Sequence, residues 1–237
     1  MLKDFLGALG FLTILPGQPP GEHPGRVFAY FPLVGTLIGA PLALIGTFSP
    51  FPKELTAFLI LITWVALTGG LHLDGLADSL DGLLSTTTPK HRLEIMKDPR
   101  TGAWAVIGIA LLLLGKWAAL DQALPARALI LPPTIGRLAM VLAAAIFPYA
   151  RQTGLGGFFR KGLGWVQIAL AVLTTIAVTA FVGPQYFLPL AAGLTGALGF
   201  SYWSAARLGG GLTGDVYGAV CEVTELVCLL ALTLQNH

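Results

Sequence analysis

The chain has 237 residues, a formal net charge of +2 and only 11% charged residues, less than half the share of about 25% usual in soluble domains. Hydrophobic residues reach 55% and the mean hydropathy is +0.77. That balance excludes an ordinary soluble helical bundle, whose helices need polar faces, and offers no basic surface for nucleic acid. The start, MLKDFLGALGFLTILPGQPP, superficially resembles a signal peptide, but it carries Asp4 and lacks a small-x-small cleavage site. It reads as a short retained helix lying along or dipping into a membrane. Apolar runs follow at 28–49, 55–71, 103–120, 128–148, 163–182, 186–206 and 216–235. A helix of about 17–25 apolar residues crosses a bilayer, and hydrocarbon forbids unpaired backbone groups, so each run is predicted to be a helix. The expectation is an all-α polytopic membrane bundle of about seven transmembrane helices, six to eight bounding the count. With no linker or internal repeat, residues 1–237 read as one domain. Cys221 and Cys228 lie about 10 Å apart along a helix, too far for a disulfide, and read as packing residues.

Charge placement predicts the orientation. With seven spans, Lys3, Arg26, Lys90, Arg92, Lys97, Arg100, Arg151, Arg160, Lys161 and Arg207 fall on the side of the N-terminus, and only Lys53 and Arg127 on the other. Ten against two is a strong positive-inside bias, which places the N-terminus in the cytoplasm and the C-terminus outside. Asp74, Asp78, Asp81, Asp98 and Asp215 fall on the same side, so the polar chemistry gathers at one face.

Within GGLHLDGLADSLDGL (69–83), Asp74, Asp78 and Asp81 fall inside a stripe of about 60° on one helix. Three carboxylates on one stripe repel each other unless a cation sits between them, and oxygen ligands favour Mg²⁺, Mn²⁺ or Ca²⁺. His72 lies on the opposite side and reads as interfacial. In EIMKDPRTGAW (94–104), Lys97, Asp98 and Arg100 precede a helix start, where exposed N–H groups favour anions and Lys with Arg would grip phosphate. The segment reads equally as an ordinary basic loop. In GGGLTGDVYGAVCEVTE (209–225), Asp215, Glu222 and Glu225 form a second acidic stripe, partly inside the membrane, where carboxylates face the bundle interior; the alternative is a structural pair with Arg137. PYARQTGLGGFFRKGLG (148–164) offers Arg151, Arg160 and Lys161 among glycines, as a loop for an anionic substrate or simply a positive-inside loop. No G-x-S-x-G or Cys–His arrangement supports nucleophilic catalysis. Carboxylates with a basic ring at one membrane face point to metal-assisted transfer at phosphate.

The segments FLTILP (11–16), FPLVGTLIG (31–39), GGLHLDGLADSLDGL, MKDPRTGAWAVIG (96–108) and GLTGDVYGAVCEVTEL (211–226) occur in that order. Together they closely resemble the adenosylcobinamide-GDP ribazoletransferase family, also called cobalamin synthase, over nearly the whole chain. The resemblance implies a Mg²⁺-dependent transferase of the cytoplasmic (inner) membrane with its active site facing the cytoplasm. Its substrates would be adenosylcobinamide-GDP and α-ribazole or α-ribazole 5′-phosphate, and its products adenosylcobalamin or its 5′-phosphate and GMP, late in cobalamin biosynthesis. A ribose 3′-hydroxyl would attack the phosphorus next to the cobinamide arm. On that basis Asp74, Asp78 and Asp81 are expected to hold Mg²⁺. Lys97 and Arg100, helped by Arg151, would grip phosphate, and Asp215 would complete the metal shell or orient the ribazole. Asp81, Asp98 or Glu222 would take the hydroxyl proton, Asp81 being favoured. The oligomeric state stays open between a homo-oligomer and a complex with other cobalamin-assembly enzymes.

Two alternatives fare worse. A CDP-alcohol phosphotransferase would need D-x₂-D-G-x₂-A-R, but Asp78 and Ser79 stand where the Ala and Arg belong and Leu71 where the leading Asp belongs. A cation transporter predicts carboxylates spread through the bilayer depth and symmetry between the halves, which this chain lacks.

Overall fold

The computed structural model describes residues 1–19, 23–122, 124–151 and 154–235; Gln152 and Thr153 of the 148–164 loop lie outside the described residues. The architecture is helical, with an isolated parallel bridge between Tyr149 and Leu212. Helix α1 (Leu2–Leu12) packs against a 3₁₀ stretch, Pro24–Tyr30, that runs into α2 (Phe31–Phe48). Then come α3 (Lys53–Thr68), α4 (Leu71–Leu84), the short α5 (Pro89–Ile95) and α6 (Ala103–Leu120). A second 3₁₀ stretch, Ala126–Ile130, leads into α7 (Leu131–Ile146), followed by the one-turn α8 (Leu155–Phe159) and α9 (Trp165–Val182). The chain closes with α10 (Phe187–Arg207) and α11 (Gly214–Leu234). Prolines open α2 and α7 in the first turn, where their missing N–H costs nothing.

Contacts at the loops define two ends of the bundle. At one, Gly25 N donates to Lys161 O (2.7 Å), and Arg92 and Arg207 both donate to Leu83 O (2.6 and 3.1 Å). Those two guanidinium groups sit on the last carbonyls of α4, where a helix dipole favours cations. At the other end Lys53 pairs with Asp121 (3.7 Å), and Gln235 donates to Gln185 O (2.8 Å). Helices α2, α3, α6, α7, α9, α10 and α11 run alternately between these ends.

Five spans are long and apolar enough by themselves: Pro24–Phe48, Ala103–Leu120, Ala126–Ile146, Trp165–Val182 and Gly214–Leu234. A sixth qualifies only as the pair α3 with α4, bent by 87°. The expected count of seven is therefore met as helices but not as independent spans among the described residues. The 16-residue α3 is short for a bilayer, and α10 dilutes its 21 residues with Gly, Ser, Thr and Tyr. The bend has a local cause. Gly69 and Gly70 take positive φ (60° and 70°), and Gly70 N reaches back to Val65 O (3.2 Å), a closure that ends α3 at a left-handed turn. Beyond it α4, only about 21 Å long and carrying three carboxylates on one face, is no span but an arm folded across the charged end of the bundle.

Helices α7 and α11 form the centre, burying 78% and 72% of their apolar windows, against 28% and 22% for α6 and α9. The outer faces of α6 and α9 leave Leu111, Leu114, Leu170, Leu173 and Phe181 bare. An apolar surface of that kind is suited to lipid rather than water. Cys221 and Cys228 are buried and free, as packing residues should be.

Candidate active site

Helix α4 divides cleanly into two faces. His72, Gly75, Leu76, Ser79, Gly82 and Leu83 are buried at helical spacing, and Asp74, Asp78 and Asp81 line the other side. Gly75 is required where α4 crosses the start of α11, because a Cβ there would lie 2.7 Å from Asp215 O. The acidic face forms one wall of a cleft of about 250 Å³, and Lys97, Asp98, Pro99, Arg100 and Thr101 form the other. The stripe and the basic segment, separate in the sequence, are brought together.

Their individual engagements differ from the expectation. Asp81 accepts from Gly102 N (2.7 Å) and Ala105 N (3.0 Å). Its carboxylate fills the N-terminus of α6, where the spacing predicted a phosphate. Asp98 accepts from Arg100 Nε (2.9 Å) and Nη2 (2.6 Å), and this pairing holds its carboxyl down at about 2. A carboxylate that acidic is a weak base at neutral pH. Arg151 pairs with Asp215 (2.8 Å), drawn together by the bridge in which Ala150 N donates to Leu212 O (2.9 Å). The side chains of Asp74 and Asp78 make no hydrogen bond or ion pair with the described residues. Burial pushes the Asp78 carboxyl up to about 6, with the negative charges of Asp215 and Asp74 adding to the effect.

Glu222 lies elsewhere. Lys116 donates to it (2.6 Å) and to Glu225, Arg137 also binds Glu225, and Arg137 Nη2 lies 3.3 Å from His72 Nδ1. All five side chains are buried. The structural pairing weighed for the second acidic stripe is thus present, with Lys116 as the partner that spacing did not suggest. Glu222, expected as a proton acceptor, is held in this interior network and does not line the cleft. His72, expected at the interface, is buried within the same network.

Among the described residues no three acidic, histidine or cysteine side chains converge to hold one ion. The stripe therefore offers two free carboxylates, not three. A Mg²⁺ ion commonly takes one or two protein carboxylates and fills its remaining positions with water and substrate phosphate oxygens. Asp74 and Asp78 on an open polar cleft fit that demand.

A second cavity, of about 140 Å³, adjoins the cleft and shares Asp74 with it. Phe11, Phe28, Phe31, Met140, Phe159 and Tyr217 make its walls, with His72 beside them and Asp215 also in its lining. No local motif announces it, since these side chains come from six separate helical segments. The one signal in the sequence was His72, whose spacing to Leu76 and Ser79 matches the buried face of α4.

A family model described as cobalamin-5-phosphate synthase matches residues 4–233 of the chain. Curated proteins named adenosylcobinamide-GDP ribazoletransferase are similar along nearly their whole length. The one from Roseiflexus sp. (strain RS-1) is 40% identical over 238 residues, covering 96% of this chain and 88% of its own. That of Deinococcus radiodurans is 38% identical over 228 residues (94% and 82%), and that of Pseudomonas putida (strain GB-1) is 39% identical over 258 (98% and 99%). No solved structure matches.

Proposed function

The chain belongs to the cobalamin-5-phosphate synthase family, and from that membership and the cleft we propose that it transfers the adenosylcobinamide phosphoryl group of adenosylcobinamide-GDP to a ribazole. A ribose hydroxyl forms a bond to the phosphorus on the cobinamide side, the diphosphate bridge breaks, GMP leaves, and the hydroxyl proton passes to a base or to solvent. The observation that carries this reading is the pair of free carboxylates, Asp74 and Asp78, facing Lys97 across a polar cleft.

Each residue then has a task its geometry permits. Asp74 and Asp78 would hold Mg²⁺, which would supply positive charge against the diphosphate and the leaving phosphate. Lys97 supplies a point charge to phosphate oxygens. Arg100, 88% exposed beyond Asp98, swings toward the same oxygens at the cost of a solvent-screened pair. The Arg151–Asp215 pair braces the start of α11 against the cleft. Asp81 keeps α6 docked on α4 and so sets the width of the cleft. The positive-inside bias of the ten basic residues supports a cytoplasmic orientation for this end, where a nucleotide-activated substrate would be available to the cleft.

The test is release of GMP from adenosylcobinamide-GDP and α-ribazole 5′-phosphate by the purified protein, with and without Mg²⁺. Release should depend on the metal, and Asp74→Asn or Asp78→Asn should lower turnover by about 100-fold or more with an unchanged unfolding transition. Metal-independent release, or near-normal rates in both variants, would sink the reading.

A further inference from the structure

We propose that the aromatic cavity beside the cleft receives the flat base of the acceptor ribazole, with His72 Nε2–H donating to the unsubstituted ring nitrogen of that base. The inference rests on the transfer function above and assigns its second substrate a place.

The walls come first. Phe11 lies 4.3 Å from Phe159 and 6.1 Å from Phe31, ring centroid to centroid, and Phe28 lies 4.6 Å from Phe31. Such faces stack on a heterocyclic base whatever its substituents. An apolar cavity of about 150 Å³ is known to take one benzene ring. A cavity of about 140 Å³ therefore seats one ring of a benzimidazole and leaves the other toward the mouth.

The polar atoms decide the class of ligand. His72 Nδ1 lies 3.3 Å from Arg137 Nη2. A guanidinium has no acceptor, so Nδ1 must accept and the ring proton sits on Nε2. That Nε2–H is buried and has no partner among the described residues, and neither has the Tyr217 hydroxyl. Buried donors without partners are rare in native proteins and call for a ligand or water. A benzimidazole nucleoside brings the complementary group, because one ring nitrogen carries the ribose and the other is a free acceptor. A lipid tail brings none.

The remaining lining points the same way. Asp74 and Asp215 also line the cavity. Carboxylates there disfavour entry by a phosphate and accept hydrogen bonds from ribose hydroxyls. Asp74 also lines the cleft, so a base seated among the phenylalanines leaves its ribose at the junction where the phosphoryl group is held.

The experiment is equilibrium binding to the purified full-length protein, without corrinoid or metal, using α-ribazole, benzimidazole and indane as probes. Benzimidazole should compete with α-ribazole, and indane, the same shape without ring nitrogens, should bind about tenfold more weakly, the factor expected for one lost hydrogen bond. Phe159→Leu and the shape-preserving Tyr217→Phe should each weaken α-ribazole about five- to tenfold, and in turnover should raise its KM without changing that of adenosylcobinamide-GDP. Equal binding of benzimidazole and indane, or wild-type α-ribazole affinity in both variants, overturns the proposal. So does displacement of α-ribazole by a decyl chain as effectively as by benzimidazole. Binding that behaves as expected without any GMP release would remove the transfer function and leave the cavity. GMP release with an unaltered KM for α-ribazole in both variants would do the reverse.

Discussion

Asp78 and Asp98 face the same cleft with opposite electrostatics. Arg100 holds Asp98 at about 2, whereas burial and the neighbouring Asp215 and Asp74 push Asp78 up to about 6. The consequence is a competition between protons and metal. Above pH 6 Asp78 is ionised and free to bind a cation; below it the site must first lose a proton. Calorimetric titration with Mg²⁺ should show affinity that is level at neutral pH and falls by up to about tenfold per unit below pH 6. Asp78→Asn should bind weakly at every pH and lose that slope. A flat profile in the wild-type protein would show that Asp78 does not hold the ion. The stripe itself was legible from the 3- and 4-residue spacing, but its division of labour was not. Whether a carboxylate is free or engaged depends on groups outside its own helix, such as Gly102, which lies 21 residues from Asp81.

Among the elements, the contact between α4 and α6 is the most informative. Sequence reasoning placed an anion at the start of α6 for a sound reason, since the first N–H groups of a helix lack partners. The structure supplies the anion from within, as Asp81. Losing such a cap costs about 1 kcal/mol. Asp81→Ala should therefore lower the unfolding temperature in detergent, while Asp81→Asn, which can still accept a hydrogen bond, should recover most of it and keep a normal Mg²⁺ response. Loss of the Mg²⁺ response in Asp81→Asn with stability intact would return Asp81 to the metal site. The α3–α4 junction was partly legible. The run 55–71 marks the apolar helix, and Gly69–Gly70 marks a weakness, but the 87° turn appears only once both glycines adopt positive φ.

The whole bundle is tied through its interior by Lys116 on α6, Glu222 and Glu225 on α11, Arg137 on α7 and His72 on α4. Two acidic and two basic side chains meet there, with the histidine beside them. Charges buried this deeply are tolerated only when paired, and removing one partner costs about 3–5 kcal/mol. Lys116→Met should therefore destabilise the protein by about that amount in thermal or denaturant unfolding, and adding Glu222→Gln should restore a substantial part. An additive loss in the double variant would mean that the network does not couple these helices. Because His72 links this network to the aromatic cavity, the charges that hold the helices together also set the tautomer of a group facing the second site.

By itself the sequence determined the helices, the membrane as their solvent, the acidic face of α4 and the family. These follow from local sums: runs of apolar side chains, periodic spacing, and motifs read along a continuous stretch. The tertiary structure alone decided that Asp81 caps α6, that Lys116 completes the Glu222–Glu225 pair, and that Phe11, Phe28, Phe31, His72, Phe159 and Tyr217 enclose one cavity. The physical reason is the same in each case. A hydrogen bond or a cavity wall depends on distances of a few ångströms between residues tens to hundreds of positions apart, and only packing sets those distances.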